Sequence, residues 1–275
     1  KKNNNSFIII DFIKDKKEFD AYLNVDNILK NVNISIPKII EVYKNHLMIV
    51  TDDFGNLRFD KILEKYSIKK LLHYAVDALV VLNNANLYKK KSLLNTYNFD
   101  TFKSEVLELS KYYFPYINIK DEKIKEEFIS LWSESYKSYN FDFKNFTHKD
   151  FNINNLVLLP SNENHLRCGI LDFQSSFWGE SSWDLFSLLE DSRILFNDEF
   201  NEYFIKYFYL KTNQSTSFNQ FKSKLNFLNS SRQTRLLGRW VKLAKEKNDN
   251  SYKNYIKVTQ NRLKKSLSLL GNKNL

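Results

Sequence analysis

Several residue types are scarce in this chain of 275 residues. Glycine and proline number only 5 and 3, which argues against collagen-like, linker-like and glycine-rich β architectures. Cys168 is the one cysteine, so it can form no disulfide within the chain and cannot build a metal site alone. We expect it to be a buried core residue in a reduced, cytoplasmic setting. No apolar run is long enough to cross a bilayer and no signal peptide is visible, so no membrane association is expected.

The chain also lacks an initiator methionine and opens on Lys1 and Lys2, shortly before its first predicted strand. We therefore expect native sequence to precede Lys1. What the chain does contain is sufficient for a sizeable core, because 43% of its residues are hydrophobic and 16% are aromatic. This composition fits one domain or two lobes that share a cleft.

Positive charge is in excess, since 42 Lys and Arg against 32 Asp and Glu give a formal net charge of +10. A basic balance can indicate nucleic acid, a membrane surface or phosphate ligands as partners. The lysines are spread along the chain among equally abundant asparagine, isoleucine and phenylalanine, which favours a solvated lysine-rich surface. Nucleic acid is therefore not an expected partner.

The first fifty residues predict a strand, a helix and two further strands, at Phe7–Ile10, Lys16–Asn31, Ile39–Tyr43 and Leu47–Val50. From Asp60 onward the pattern is mainly helical. The predicted helices are Ile68–Leu82, Phe99–Tyr113, Glu122–Tyr139, Ser182–Phe196, Asp198–Leu210, Phe218–Leu228, Arg232–Ala244 and Tyr252–Leu269. The exceptions are two short strands, Leu156–Leu159 and Gly169–Leu171, joined by a polar turn.

Two segments in and beside this hairpin carry the candidate chemistry. His148, Asp150 and Asn155 fit the pattern H-x-D-x-x-x-x-N that kinases place in their catalytic loop. Asp172 and Phe173 close the second strand, as the Asp-Phe pair does in the D-F-G segment of kinases. Any one of these residues alone is more typical of a helix cap, a turn or a satisfied polar group. Their joint occurrence, in order and after a strand-rich beginning, is what predicts phosphoryl transfer.

Phosphoryl transfer requires positioning and neutralisation of charge on the transferring phosphate, and Mg²⁺ prefers oxygen ligands. We expect Asp172 and Asn155 to hold Mg²⁺ from two sides, with phosphate oxygens and water completing its shell. Asp150 and His148 are the candidate catalytic residues. Asp150 would orient the acceptor hydroxyl and take its proton, and His148 would brace the loop through a hydrogen bond to the backbone.

At these residues the chain resembles the aminoglycoside phosphotransferase and choline kinase superfamily, which has a protein-kinase-like fold. Its 169–174, 183–185 and 187–191 segments resemble a bacterial subgroup that includes the anomeric kinases of N-acetylmuramate and N-acetylglucosamine. That subgroup has Gln after Asp-Phe, then Tyr-Asp-Leu, where Trp183 stands in the Tyr position here. The 235–243 run resembles its late helix, and Asp52–Gly55 resembles its hinge.

The resemblance implies an α+β, two-lobe fold: a small β-rich N-terminal lobe over residues 1–53, and a larger helical lobe over 54–275 with the β-hairpin at the catalytic loop. It implies ATP and Mg²⁺ as cofactors, and it implies that Asp184 supports the catalytic loop by hydrogen bonding. It also places the adenine against the backbone of Thr51, Asp52, Asp53 and Phe54.

The N-terminal lobe departs from many kinases at the phosphate site. No lysine occurs in the Phe7–Phe12 strand to pair with the α- and β-phosphates, and Asp11 falls about where it would sit. Lys14, Lys16 or Lys17 could reach this site, although solvated surface lysines are the more typical interpretation in such a lysine-rich chain. The loop that covers the phosphates is absent before the strand, so this lobe is interpreted as truncated at its N-terminus.

Three functions are compatible with these observations. The first is a 1-kinase for N-acetylmuramate or N-acetylglucosamine in cell-wall sugar recycling. The second is a kinase for an aminoglycoside, choline-like or homoserine-like acceptor, for which Glu180, Glu190 and Asp191 would supply acidic groups. The third is a non-catalytic nucleic-acid- or protein-binding module, which the net charge favours and the intact motif opposes.

The partners expected for the leading hypothesis are ATP and a small-molecule hydroxyl acceptor. Candidate substrate residues are Gln174, Trp178 and Glu190, since an aromatic face can stack on a sugar ring. Trp183 and Trp240 are interpreted as core aromatics.

Overall fold

The structure, a computed structural model, describes residues 6–270. Lys1 and Lys2 lie outside the described residues. The chain forms two compact units. The first unit comprises 1–96, 143–188 and 202–213, and the second comprises 97–142, 189–201 and 214–275. The α+β class is confirmed, whereas the lobe boundary after Asp53 stays a prediction.

Helices make up most of the described chain. The α-helices are α1 (Lys16–Leu29), α2 (Phe59–Ile62), α3 (Ile68–Asn84), α4 (Phe99–Glu108), α5 (Phe114–Tyr116), α6 (Glu122–Lys137), α7 (Trp183–Leu189), α8 (Asp198–Lys211), α9 (Phe218–Glu246) and α10 (Ile256–Ser268). The strands are β1 (Phe7–Asp11), β2 (Ile39–Tyr43), β3 (Met48–Asp52), β4 (Asn145–Thr147), β5 (Leu156–Leu158), β6 (Cys168–Ile170) and β7 (Phe177–Gly179).

The first unit begins with an antiparallel sheet in the order β1-β3-β2. Its strands form because β-branched residues dominate them. Helix α1 begins where Asp15 accepts hydrogen bonds from the backbone N–H groups of Lys17 and Glu18, which satisfies donors left open at a helix start. The helix buries one apolar face, consisting of Phe19, Tyr22, Val25, Ile28 and Leu29.

Two small antiparallel pairs complete the strands of the first unit. β5 pairs with β6 as the predicted hairpin, and Cys168 at its far end is fully buried. β4 pairs with β7, two strands of three residues that sequence reasoning missed. Pairs this short carry too few alternating side chains to give a periodic signal.

The second unit has a helical core. Its buried cluster consists of Leu109, Tyr113, Phe114, Leu236, Leu237, Trp240 and Ile256. Helix α4 continues into a π-helical turn over Leu109–Tyr113, so the predicted helix Phe99–Tyr113 changes type within its span. α10 follows a 3-10 segment, Asn250–Tyr255, in the range predicted as a single helix.

Two helix predictions were wrong in extent. The helix predicted at Ser182–Phe196 ends at Leu189, because Asp191 accepts a hydrogen bond from the backbone N–H of Arg193 and forms a local turn instead. The helices predicted at Phe218–Leu228 and Arg232–Ala244 are one helix, α9. Within residues 6–270, no helix is both long and apolar enough to cross a bilayer.

Candidate active site

The β5–β6 hairpin joins the two segments that carry the predicted chemistry. Residues 148–155, called here the His148 loop, lead into β5, and Asp172 follows β6. Leu156 pairs with Ile170 across the hairpin. The Leu171 N–H donates to the Asn155 carbonyl at 2.9 Å. The end of the His148 loop and the residue before Asp172 are therefore held together by backbone hydrogen bonding within the first unit.

Asp184 of α7 fixes the start of the His148 loop. Its Oδ2 accepts the backbone N–H of His148 at 2.7 Å, and its Oδ1 accepts that of Lys149 at 3.0 Å. Lys149 has a left-handed backbone with φ of 79°. This conformation is strained for a non-glycine residue and persists only where the surrounding structure holds it. Asp184 is buried and makes this contact as a backbone acceptor, so the geometry supports its predicted supporting role.

His148 connects the loop to the strand before Asp172. Its Nε2 lies 2.8 Å from the Leu171 carbonyl, and because a carbonyl only accepts, this nitrogen carries the proton. Burial lowers the pKa of the His148 imidazole, so the ring is neutral at pH 7. Its Nδ1 has no hydrogen-bond partner among the described residues. The contact supports the predicted bracing role of His148, which stays a prediction.

Asn155 turns its amide nitrogen toward the residue proposed as the base. Its Nδ2 donates to the backbone carbonyl of Asp150 at 2.9 Å, and Asn152 donates to the same carbonyl. With Nδ2 used in this way, Oδ1 is the atom of Asn155 that can bind a cation. The loop thus ties Asp150 and Asn155 together through the main chain and leaves an oxygen for a metal ion.

Asp172 and the two residues after it contact helix α1. Asp172 has a left-handed backbone with φ of 62°. Phe173 is fully buried, and its ring centroid lies 4.6 Å from that of Tyr22. The Gln174 Nε2 lies 2.9 Å from Asp172 Oδ1 and 3.0 Å from Glu18 Oε1.

A cavity of about 750 Å³ lies beside these residues and is lined entirely by the first unit. All four predicted nucleotide-binding residues, Thr51, Asp52, Asp53 and Phe54, line it, together with Asn155, Asp172 and Gln174. His148 and Asp150 are not among its described lining residues. The cavity therefore brings together the two predicted metal ligands and the predicted nucleotide-binding segment.

The segment after β3 is held by its own side chains. Asp53 accepts hydrogen bonds from the Ser6 hydroxyl and the Gly55 N–H, and these lower the pKa of its carboxyl, the Ser6 bond most. Burial raises the pKa of Asp52, whose Oδ1 accepts the Lys38 N–H. These contacts fix the turn that leads to Phe54.

Phe54 packs against the β6 backbone at Gly169. A Cβ added to Gly169 would lie 2.6 Å from Phe54 Cδ2, so only glycine leaves room for the ring. This contact joins the segment after β3 to the β5–β6 hairpin and forms one wall of the cavity.

The cavity lining is strongly acidic. Its carboxylates are Asp11, Asp15, Glu18, Asp52, Asp53 and Asp172. Arg58 is the only Lys or Arg among its described lining residues, and Asp60 holds its guanidinium through two hydrogen bonds of 2.7 Å. Lys16 pairs with Asp20. No lysine is therefore present among the described lining residues, and which lysine pairs with the phosphates stays an open prediction.

No group of three or more His, Cys, Asp or Glu suited to a metal ion occurs between residues 6 and 270. The donor set of Asn155 and Asp172 still fits Mg²⁺, because this ion is commonly held by one or two carboxylates and takes its remaining ligands from substrate phosphates and water.

Comparison with known proteins also relates this chain to small-molecule kinases. A model of the ecdysteroid kinase-like family matches residues 82–216. An N-acetylmuramate/N-acetylglucosamine kinase of Neisseria meningitidis serogroup B is 27% identical over 203 residues, which cover 71% of this chain and 57% of that protein. A kinase of the same name from Caulobacter vibrioides is 25% identical over 182 residues, covering 63% and 50%. The chain spans about half the length of these curated relatives.

Solved structures share the architecture. A choline kinase of Streptococcus pneumoniae has a TM-score of 0.64 at 17% identity, and the match covers 98% of this chain and 88% of that one. The fold is that of the choline kinases and aminoglycoside phosphotransferases. An ADP-bound aminoglycoside phosphotransferase gives a TM-score of 0.60, also at 17% identity, with the same two coverages. The resemblance to this superfamily and its protein-kinase-like fold is confirmed.

Trp178, one of the predicted substrate residues, lies in the core of the first unit. Trp178 is fully buried in β7, where its Nε1 donates to the Lys91 carbonyl and its ring packs on Tyr88 and Phe146. A side chain with no exposed surface cannot stack on a sugar, so the substrate role of Trp178 was wrong. Trp183 and Trp240 are buried, as predicted.

Glu190 belongs to the second unit and is held in a polar cluster. Its Oε1 accepts from Asn201 at 2.9 Å, and its Oε2 lies 3.6 Å from Arg262 Nε. Burial lowers the pKa of Arg262, against the opposing effect of Glu190 and Asp191. The substrate roles of Glu190 and Gln174 stay predictions.

Sequence reasoning missed Glu18 and Arg58 as residues of the cavity. Glu18 lies in the first turn of α1, where an acidic residue is expected for its interaction with the helix dipole alone. No motif or spacing in the sequence distinguishes Glu18 from an ordinary residue at a helix start.

Proposed function

We propose that this protein is an ATP-dependent phosphotransferase that moves the γ-phosphate to a hydroxyl group of a small molecule. The observation that carries the proposal is the linkage of three residues in one unit. The Asn155 side chain bonds to the Asp150 backbone, and the Asn155 backbone bonds to the residue before Asp172. This linkage supports a shared site for a carboxylate base and two oxygen ligands of a metal ion.

In this mechanism, Asp150 accepts a hydrogen bond from the acceptor hydroxyl, orients its oxygen and takes its proton late in the transfer. The hydroxyl oxygen forms the new bond to phosphorus, and the bond to the β–γ bridging oxygen breaks with its electron pair going to ADP. Asn155 Oδ1 and the Asp172 carboxylate would hold Mg²⁺, which neutralises charge on the phosphates when bound. His148 adds no charge because it is neutral.

The first candidate acceptor is the anomeric hydroxyl of N-acetylmuramate or N-acetylglucosamine, within cell-wall sugar recycling. The names of the two relatives, both N-acetylmuramate/N-acetylglucosamine kinases, support it. An anomeric hydroxyl is more acidic than an ordinary alcohol, so a weak carboxylate base is adequate. Choline and an aminoglycoside are the second class of candidate, because solved kinases of both kinds share the fold.

The test is phosphate transfer by the full-length protein from Mg-ATP, or Mg-GTP, to a panel of both amino sugars, choline and an aminoglycoside. We expect turnover with an amino sugar and its loss, by several orders of magnitude, in Asp150→Ala and Asp172→Ala. Asp100→Ala, an exposed carboxylate in the first turn of α4, is the matched control and should retain wild-type turnover.

Turnover with choline or an aminoglycoside alone would replace the amino-sugar assignment and keep the kinase. Wild-type rates in both site variants would refute the assigned roles. Binding of nucleic acid without any nucleotide turnover would favour the non-catalytic alternative.

A further inference from the structure

One side chain joins helix α1 to the proposed metal site. The Gln174 Nε2 donates to Asp172 Oδ1 at 2.9 Å and to Glu18 Oε1 at 3.0 Å. A carboxamide NH₂ group has two hydrogens, so one nitrogen can serve both carboxylates. Its carbonyl oxygen could serve neither, because carboxylates accept and do not donate. The bridge therefore fixes which way the amide faces.

The bridge connects two acidic groups without cancelling their charge. Among the described residues, no salt bridge joins a Lys or Arg to Glu18 or Asp172. A lysine at this place would neutralise one of the carboxylates, whereas a neutral amide only orients them. The amide therefore brings no positive charge to Asp172 that would oppose binding of a hard divalent cation there.

A second contact, made by the preceding residue, supports the same connection. Phe173 packs on Tyr22, which lies four residues after Glu18 on α1. Residues four apart share one face of a helix, so the consecutive pair Phe173 and Gln174 contacts a single face of α1. The left-handed backbone of Asp172 is thereby held from its C-terminal side by an aromatic contact and a pair of hydrogen bonds.

We propose that Gln174 is a positioning residue that aims the Asp172 carboxylate at the divalent cation and anchors it to α1 through Glu18. This inference rests on the proposed function, since it concerns the metal of that reaction. It gives Gln174 a role toward the metal ion in place of contact with the acceptor. It also gives Glu18 a role as the acceptor that anchors Gln174, although no lysine pairs with Glu18 among the described residues.

The inference is tested by titrating Mn²⁺ into the full-length protein in the presence of ADP and measuring free Mn²⁺ by electron paramagnetic resonance. Gln174→Leu and Gln174→Met should each weaken Mn²⁺ binding by roughly 10- to 100-fold, because both lose the amide donor. Gln174→Met is the closer match, because it keeps the length of the side chain and adds no charge. Glu18→Gln keeps an acceptor oxygen and should stay close to wild type, whereas Glu18→Leu should resemble Gln174→Leu.

Turnover gives a second readout that a purely structural role would not produce. The Mg²⁺ concentration for half-maximal turnover should rise in Gln174→Leu, and kcat should recover toward wild type at saturating Mg²⁺. Ser175→Ala, a change at the exposed neighbouring residue, should alter neither value.

Two failures are distinguishable. If the wild type binds Mn²⁺ with ADP and transfers phosphate, and the Gln174 variants bind Mn²⁺ as tightly, the positioning role is refuted and the proposed function stands. If the wild type shows neither metal-dependent nucleotide binding nor turnover, both are refuted. A loss of thermal stability in Gln174→Met with unchanged Mn²⁺ affinity would also overturn the inference.

Discussion

At the scale of single residues, Asp184 controls the backbone that precedes the proposed base. Its two carboxylate oxygens each accept one backbone N–H, from His148 and from Lys149. In Asp184→Asn, one oxygen becomes an NH₂ group that faces an N–H, so a buried donor loses its acceptor. We expect the free energy of unfolding to fall by about 1–3 kcal/mol and turnover to fall with it, as measured by chemical denaturation and phosphate transfer.

Asp15→Asn is the matched control for that change. Asp15 also accepts two backbone N–H groups, but both reach the same oxygen, Oδ1. An amide keeps that oxygen, and Asn is as good a helix N-cap as Asp. Its unfolding free energy should stay within about 0.5 kcal/mol of wild type. Equal losses in the two variants would contradict the role of Asp184 as a two-oxygen acceptor.

The residues of the candidate site were predictable to different degrees. His148, Asp150, Asn155 and Asp172 follow a fixed spacing, because one loop and one hairpin hold them, and spacing along the chain is visible in a sequence. The partnership of Glu18 with Gln174 spans 156 positions and depends on how α1 packs against the segment that follows β6. The substrate role of Trp178 was predicted wrongly because a sequence does not show whether an aromatic side chain faces a ligand or the core.

At the scale of elements, α9 shows why one long helix was predicted as two. The polar run Asn229, Ser230 and Ser231 interrupts its apolar spacing, yet all three side chains are buried. The hydroxyls of Ser230 and Ser231 donate to carbonyls four and three residues earlier, which satisfies them inside the helix. Strand β2 was easier to predict, because its run of β-branched residues follows Pro37 and ends at a turn.

At Gly238, helix α9 lies very close to the backbone at the end of α4. A Cβ there would lie 2.1 Å from the Glu108 carbonyl oxygen, 2.3 Å from its carbon and 2.7 Å from the Leu109 nitrogen. Glycine to alanine in an exposed helix interior usually stabilises by up to about 1 kcal/mol. Here the sign should reverse, and Gly238→Ala should destabilise by at least about 1–3 kcal/mol in thermal or denaturant unfolding.

Asn219→Ala is the control on the same helix, at an exposed position in its first turn. It should be neutral or slightly stabilising, because alanine has the higher helix propensity. A stabilised Gly238→Ala would show that α4 and α9 can separate without cost, contrary to the close contact of their backbones.

At the scale of the whole molecule, the net charge of the chain is positive, whereas the lining of the cavity is predominantly acidic. The chain carries +10, a value typical of proteins that bind anions directly. The cavity that holds the predicted nucleotide-binding residues is lined by six carboxylates, and among the described lining residues only Arg58 is a Lys or Arg. The excess lysines therefore contribute little to that lining, and the composition alone gave no sign of the acidic cavity.

This charge distribution predicts that a nucleotide binds well only together with a divalent cation. An anionic phosphate chain facing carboxylates is repelled, and a bound Mg²⁺ or Mn²⁺ converts that repulsion into attraction. Calorimetric titration with ADP should show binding weakened roughly 5- to 150-fold when EDTA removes the metal, and by reciprocity ADP should strengthen Mn²⁺ binding by the same factor.

Asp11→Asn isolates the electrostatic cause. Asp11 lines the cavity, and its Oδ1 accepts the Ile13 N–H. An amide at this position keeps that acceptor and removes one negative charge, so metal-free ADP should bind more tightly than to wild type while the fold is retained. Two results together would contradict this prediction: wild type binds ADP as tightly without metal as with Mg²⁺, and Asp11→Asn does not change the metal-free affinity for ADP. In that case the phosphates do not face the carboxylates of the lining, and the nucleotide binds the cavity in another orientation.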